Sequence, residues 1–110
     1  MNRYIVEGLL RDATTGKRVL VFAAQGGARK IFRHVSVLAA NQTGVKRILR
    51  ANGRECVEFT NGGRLRFIST SHAARGHEAD VVYVEAWNDL SDRQREDIAP
   101  SALRGELIRA

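Results

Sequence analysis

Three groups of residues in this chain have types and spacings that can do chemistry. The first is Glu85, which closes the run Val81-Val82-Tyr83-Val84. A fully apolar strand ending in a carboxylate carries those oxygens to the carboxyl edge of a sheet, where open α/β sheets bind ligands. There a carboxylate can hold a metal's water or orient a nucleophile. One carboxylate cannot do both. Val84 precedes Glu85 and Ala86 follows it, and Asp89 and Asp92 come only past the strand edge. The plain alternative is a surface acid at a strand end. The second group is Gln25-Gly26-Gly27, which follows the apolar run Arg18–Ala23 and opens a helical pattern. The free N–H groups of a helix N-terminus can take an anion, and Arg75-Gly76, in the loop before Asp80, adds a guanidinium that can reach a phosphate. Gly26 and Gly27 serve equally well as a flexible strand-to-helix connection. The third group is Lys46, Arg47, Arg50, Arg64 and Arg66, cations grouped closely enough to contact nucleic acid.

Other chemistry finds less support. A phosphate-binding loop needs G-x-x-x-x-G-K-[ST] between a strand and a helix. The only Gly-Lys pair is Gly16-Lys17; Arg11 stands where the first Gly belongs, Arg18 where the Ser/Thr belongs, and a strand follows instead of a helix. Ser71, His72, His77, Glu78 and Asp80 fit no zinc spacing and read as a solvated loop. Cys56 is alone, so neither an internal disulfide nor a cysteine-rich zinc site forms, and it reads as a reduced, partly buried thiol. No metal site is expected.

The formal charge of +6 is unevenly spread. Residues 1–54 hold 11 Lys/Arg against Glu7 and Asp12; residues 55–110 hold 7 Lys/Arg against 10 acids. A basic half beside an acidic half fits a nucleic-acid contact, head-to-tail self-association, an acidic partner, or a solvated basic surface. No apolar run reaches the roughly 18 residues of a membrane span, and Arg3, Glu7 and Arg11 interrupt any signal-like stretch. The expectation is a cytosolic chain of one domain, residues 1–110, with no membrane contact.

The elements that must position these residues follow from periodicity. Ile5, Val6, Leu9 and Leu10 give a helix over residues 2–12, and Arg18 to Ala23 a buried strand of parallel type. Ala28 to Ala40 is helical, with Ile31, Phe32, Val35, Leu38 and Ala39 inward and Arg29, Lys30, Arg33 and His34 on the other arcs. Gly44 to Arg50 reads as a short basic helix with Val45, Ile48 and Leu49 inward. Glu55 to Thr60 and Arg64 to Ser69 flank Asn61-Gly62-Gly63 as a hairpin. Asp80 to Glu85 is a second buried strand. Ser91 and Gln94 form a capping box for a helix over about 92–99, Pro100 either ends it or starts another, and residues 101–110 read as one more helix with Leu103 and Leu107 inward. The fold class expected is α/β: a small, mostly parallel sheet with flanking helices and one β-hairpin.

In order and spacing, these pieces resemble the ATPase core of phage terminase large subunits, the DNA-packaging motors. The resemblance covers roughly Thr15 to Leu103. K-R-V-L-V-F-A-A-Q looks like the strand after the family's first helix, and A-R-K-I-F-R-H-V like the helix that follows. V-K-R-I-L-R-A-N-G-R-E-C-V-E-F-T-N-G-G-R-L-R-F looks like its basic helix, turn, strand and hairpin. A-A-R-G-H-E-A-D-V-V-Y-V-E-A-W-N-D-L-S matches its Arg-Gly loop and Walker B strand, and D-I-A-P-S-A-L the segment beyond. Helicases of the UvrD type share only residues 70–85. The resemblance implies a partial P-loop NTPase (RecA-like) core without its phosphate loop and without a nuclease domain. The family's acidic pair is incomplete: either Val84 replaces the metal-binding Asp and Glu85 is the catalytic acid, or Glu85 is the metal ligand and Ala86 replaces that acid. It therefore implies a non-catalytic module binding DNA or a protein in the host cytoplasm, with no cofactor of its own. Alternatives are one part of a split packaging ATPase, with ATP and magnesium bound once another chain supplies the loop, and a regulator docking on a phage terminase or host protein. An exposed sheet edge also suggests a homo-oligomer.

Overall fold

The computed structural model of the chain describes residues 3–51, 54–70, 78–102 and 104–110. Strand β1 (Arg18–Ala23) lies at its centre because five consecutive apolar residues, Val19 to Ala23, are all buried. An uninterrupted apolar run suits a strand covered on both faces. Strands β4 (Arg64–Ser69) and β5 (Val81–Val84) flank β1, both parallel to it. Val19 to Phe22 pair in register with Val81 to Val84. Strand β6 (Glu106–Arg109) adds in parallel outside β5. On the other side β3 (Cys56–Phe59) and β2 (Val45–Leu49) add antiparallel, giving a six-stranded mixed sheet in the order β2-β3-β4-β1-β5-β6.

Alternation along β1 builds two cores. Val19, Val21 and Ala23 face α1 (Arg3–Thr14) and α2 (Gln25–Ala39), packing with Val6, Leu9, Leu10, Ile31, Phe32 and Val35. Leu20 and Phe22 face the other way, joining Val82, Val84, Ile98 and Ala102 under α3 (Asp92–Ile98) and the 3-10 turn Ala99–Ala102. Phe32 meets Phe67 edge-on, centroids 5.4 Å apart, which seats α2 on β4. The capping box forms as read: the Gln94 N–H donates to Ser91 Oγ at 3.1 Å, and the Ser91 N–H to Gln94 Oε1 at 2.9 Å.

Two expected helices are strands. Residues 44–50 form no helix, because 45–49 are β2. A β-bulge between Val45 and Arg47 inserts Lys46, so Val45 opposite Phe59 and Ile48 opposite Val57 both face the α1/α2 core. The extra residue makes a strand present apolar side chains three apart, the spacing of a helix. Residues 101–110 also form no single helix: Pro100 lies in the 3-10 turn, and 106–109 are β6. Gly105 permits this path. It passes so close to the Ala79 and Asp80 backbone that a Cβ would collide with their carbonyl oxygens, and its neighbour Glu106 donates to Asp80 O at 2.9 Å. Leu103 lies outside the described residues. Helix α2 begins at Gln25, earlier than expected, so Gly26 and Gly27 belong to its first turn.

The β3–β4 hairpin is fastened to α1 through Asn61. Its Nδ2 donates to the Thr14 carbonyl at 2.7 Å, capping the helix end, while its Oδ1 accepts from the Gly63 N–H at 3.0 Å. A Cβ on Gly63 would collide with the Ala13 carbonyl oxygen. Gly63→Ala is therefore expected to cost about 1–3 kcal/mol in urea unfolding, the usual range for forced overpacking; an unchanged midpoint would show that the hairpin does not dock there. Asp80 supplies a second check. Its carboxylate accepts the Arg18 backbone N–H at 2.9 Å and stands 3.6 Å from the Arg18 guanidinium. The N–H bond chiefly, with the guanidinium, holds this carboxyl below its ordinary value. A lowered folded value stabilises above the unfolded value of about 4 and is lost as pH falls through the folded one. With the side chain 45% exposed, about 1 kcal/mol or less is at stake. Asp80→Asn is expected to flatten the loss of stability below about pH 4, measured by urea unfolding at pH 5 and pH 3; an unaltered pH slope would remove Asp80 from the acid response.

Candidate functional site

The chain leaves β1 into α2 on one face of the sheet and leaves β5 towards α3 on the other. The carboxyl ends of β1 and β5 are adjacent. Such a switch point is where open α/β sheets form a ligand crevice. Glu85 stands there, its N–H donating to Phe22 O at 2.9 Å and so extending the β1–β5 ladder by one bond. Its carboxylate accepts the Tyr83 hydroxyl at 2.8 Å. Tyr83 is almost wholly buried. Burial first, then the Glu85 carboxylate, raises its phenol well above the ordinary value, so it remains a donor throughout the physiological range.

Glu85 lines a cavity of about 250 Å³ together with Val6, Gly27, Lys30, Ile31 and His34. Two readings made separately from the sequence, the strand-end carboxylate and Gly27 of the pair opening α2, thus meet at one place. Lys30 and His34 were visible in the sequence only as outer-arc residues of α2. Their exposure beside Glu85 gives the cavity one carboxylate, one ammonium and one imidazole against an apolar wall. Gly26 and Gly27 make no open loop. Neither has a positive φ, Gly26 has open space around its Cα, and a Cβ at Gly27 would meet only the Ala23 side chain at 3.6 Å. The first-turn N–H groups of α2 have no side-chain cap from Ala24.

Ala86 follows Glu85 in the left-handed region, φ 54° and ψ 46°. A Cβ in that region costs roughly 1–2 kcal/mol. The bend turns the chain into the 3-10 turn Trp87–Asp89, where the Arg95 and Arg109 guanidinium carbons lie 5.7 and 6.0 Å from the Trp87 ring centroid. Asp89 lies in that turn and Asp92 at the start of α3, pairing with Arg95 at 3.8 Å. Glu85 thus has no second carboxylate on its own strand. Among the described residues, no group of three His, Cys, Asp or Glu could hold a metal ion. Gly16-Lys17 is a helix stop, with Gly16 at φ 97° and Lys17 beside Asp12 at 3.9 Å. Arg75 and Gly76, with Ser71, His72 and His77, lie outside the described residues.

The five cations proposed for nucleic acid divide. Arg47, Arg64 and Arg66 lie on the sheet face opposite α1 and α2, since their neighbours Ile48, Leu65 and Phe67 face those helices. Arg47 is committed there: its Nε donates to Glu58 Oε2 at 2.7 Å and its Nη2 to Oε1 at 3.2 Å. The Arg47 bond holds the Glu58 carboxyl below its ordinary value. Cys56 sits between Leu49 and Arg66 in the ladder, and burial pushes its thiol up. Lys46 is exposed at the bulge, and Arg50 reaches the other way, its Nη1 3.5 Å from Ser36 Oγ on α2. No helix among the described residues is long and apolar enough to cross a membrane.

No protein-family model matches the chain, and none of the curated proteins is significantly similar to it.

Two substitutions test this geometry. Ala86→Gly is expected to stabilise the fold by roughly 1 kcal/mol by relieving the left-handed Cβ. Gly26→Ala is expected to stabilise it by about 0.5 kcal/mol, because the position is helical and uncrowded. Thermal and urea unfolding measure both; destabilisation by either change would contradict the backbone described.

Proposed function

We propose that this chain is a phage terminase-like module that binds DNA, or a partner protein in DNA packaging, without itself hydrolysing nucleotide. The observation that carries the reading is the placement of Glu85. It ends a buried strand parallel to and beside β1, at the carboxyl edge, with Ala86 next to it and no neighbouring acid on the strand. In a partial RecA-like P-loop core that is the position of the Walker B strand. The 110 residues hold no G-x-x-x-x-G-K-[ST], so the grip on a triphosphate has to come from outside them. The basic half supplies the charge for DNA, and the host cytoplasm is the compartment that fits.

A second reading is favoured by the cavity that Glu85 shares with Gly27 and Lys30: one part of a split packaging ATPase, its phosphate loop and nucleotide-bound magnesium supplied by another chain. Two assays on the protein test the first reading. Duplex DNA should bind with log affinity falling linearly as log salt rises, by about 0.9 per phosphate contacted. Phosphate release from magnesium ATP should not exceed that of Glu85→Gln. Binding indifferent to salt would reject the DNA reading, and turnover lost in Glu85→Gln would reject the non-catalytic one.

A further inference from the structure

From Ala13 to Arg54 the sequence has no Asp or Glu. The fold gathers part of that stretch into one surface. At 3.6 residues per turn, Ala28, Phe32, Val35 and Ala39 mark the buried side of α2. Leu38 and Ile31 mark the flank towards α1, where they line cavities with Leu10 and Val6 respectively. Ser36 marks the opposite flank, where Arg50 arrives from the end of β2. Arg29 and Arg33 project about 20° and 60° round the helix from Ser36, towards solvent on that same flank, and both are exposed.

We infer that the seam between α2 and the end of β2, formed by Arg29, Arg33 and Arg50, is a track for the phosphate backbone of duplex DNA. This rests on the DNA-binding reading and moves its main contact from the sheet face to the helix. Among the described residues no ion pair is formed by Arg29, Arg33 or Arg50. On the sheet face, by contrast, Glu58 chelates Arg47 and pairs across the ladder with Arg64. Successive cations on one helix flank, about 6 Å apart along the axis, present charge in a line. The seam also lacks an aromatic side chain; Tyr4, the exposed aromatic of large area, lies on α1. Single strands are held by stacking on aromatic rings, so this surface suits backbone contact with a duplex and no base readout.

The test is fluorescence anisotropy of an arbitrary-sequence duplex with the full chain over a salt series. Three phosphate contacts give a slope of log affinity against log salt of about −3. Arg29→Ala with Arg33→Ala should bring it to about −1 and weaken binding at low salt about tenfold or more, whereas Arg64→Ala with Arg66→Ala should leave it near −3. Arg29→Lys with Arg33→Lys should keep the slope near −3. Thermal unfolding of each variant checks that these exposed changes leave the fold intact. If the sheet-face pair lowers the slope and the helix pair does not, the seam is wrong and the DNA reading stands. If the wild-type chain binds no duplex at low salt, both fall.

Discussion

Every feature of this protein that bears on function depends on β1 being held between two parallel partners. Val19 to Ala23 are buried on both faces, so no neighbour of β1 can be removed without exposing apolar surface to water. Burial of a Val or Phe side chain is worth roughly 1.5–3 kcal/mol, and β1 buries five apolar side chains in succession. The pairing also fixes direction. With β1 and β5 parallel and in register, their carboxyl ends open at one edge, and Glu85 and the first turn of α2 meet there.

The charge distribution follows from the same arrangement. Four acids among the described residues serve local pairing: Asp12 stands beside Lys17, Glu58 grips Arg47, Asp80 holds the start of β1, and Asp92 meets Arg95. None falls on α2. The helix that covers β4 and one face of β1 is therefore left with a cationic outer surface, while the hairpin face opposite it is partly neutralised. A map of charge by sequence position would treat both halves of the basic segment alike; the fold makes them unequal.

How much of this was legible in the sequence depended on whether one physical signal dominated. Buried strands β1 and β5 read correctly because their apolar runs allow little else, and Asn61-Gly62-Gly63 gave the hairpin because both its turn chemistry and its flanking alternation agree. The capping box at Ser91 and Gln94 is a local motif and formed as such. Residues 44–50 misled because a bulge at Lys46 gives Val45 and Ile48 helical spacing; only the partner strand reveals the extra residue. Residues 106–109 misled because Leu107 and Ile108 are ambiguous in so short a run, and the close approach of Gly105 to Asp80 is a tertiary fact. Glu85 and the α2 glycines were each visible, but the meeting of Glu85 with Gly27 at one cavity, with Lys30 and His34, required the fold. The cations on α2 were visible as an outer arc; what set them apart was the absence of a nearby acid, which a residue-by-residue reading passes over.

Amide hydrogen exchange followed by NMR tests the central claim most directly, because exchange ranks segments by the free energy needed to open them. If β1 is the doubly buried centre of the sheet, the amides of Val19 to Phe22 and of Val82 to Glu85 exchange slowest, through global unfolding, while those of β2 and β6 exchange faster by local opening. Exchange of β1 amides as fast as those of β2, or protection in β2 exceeding that in β5, would contradict the account.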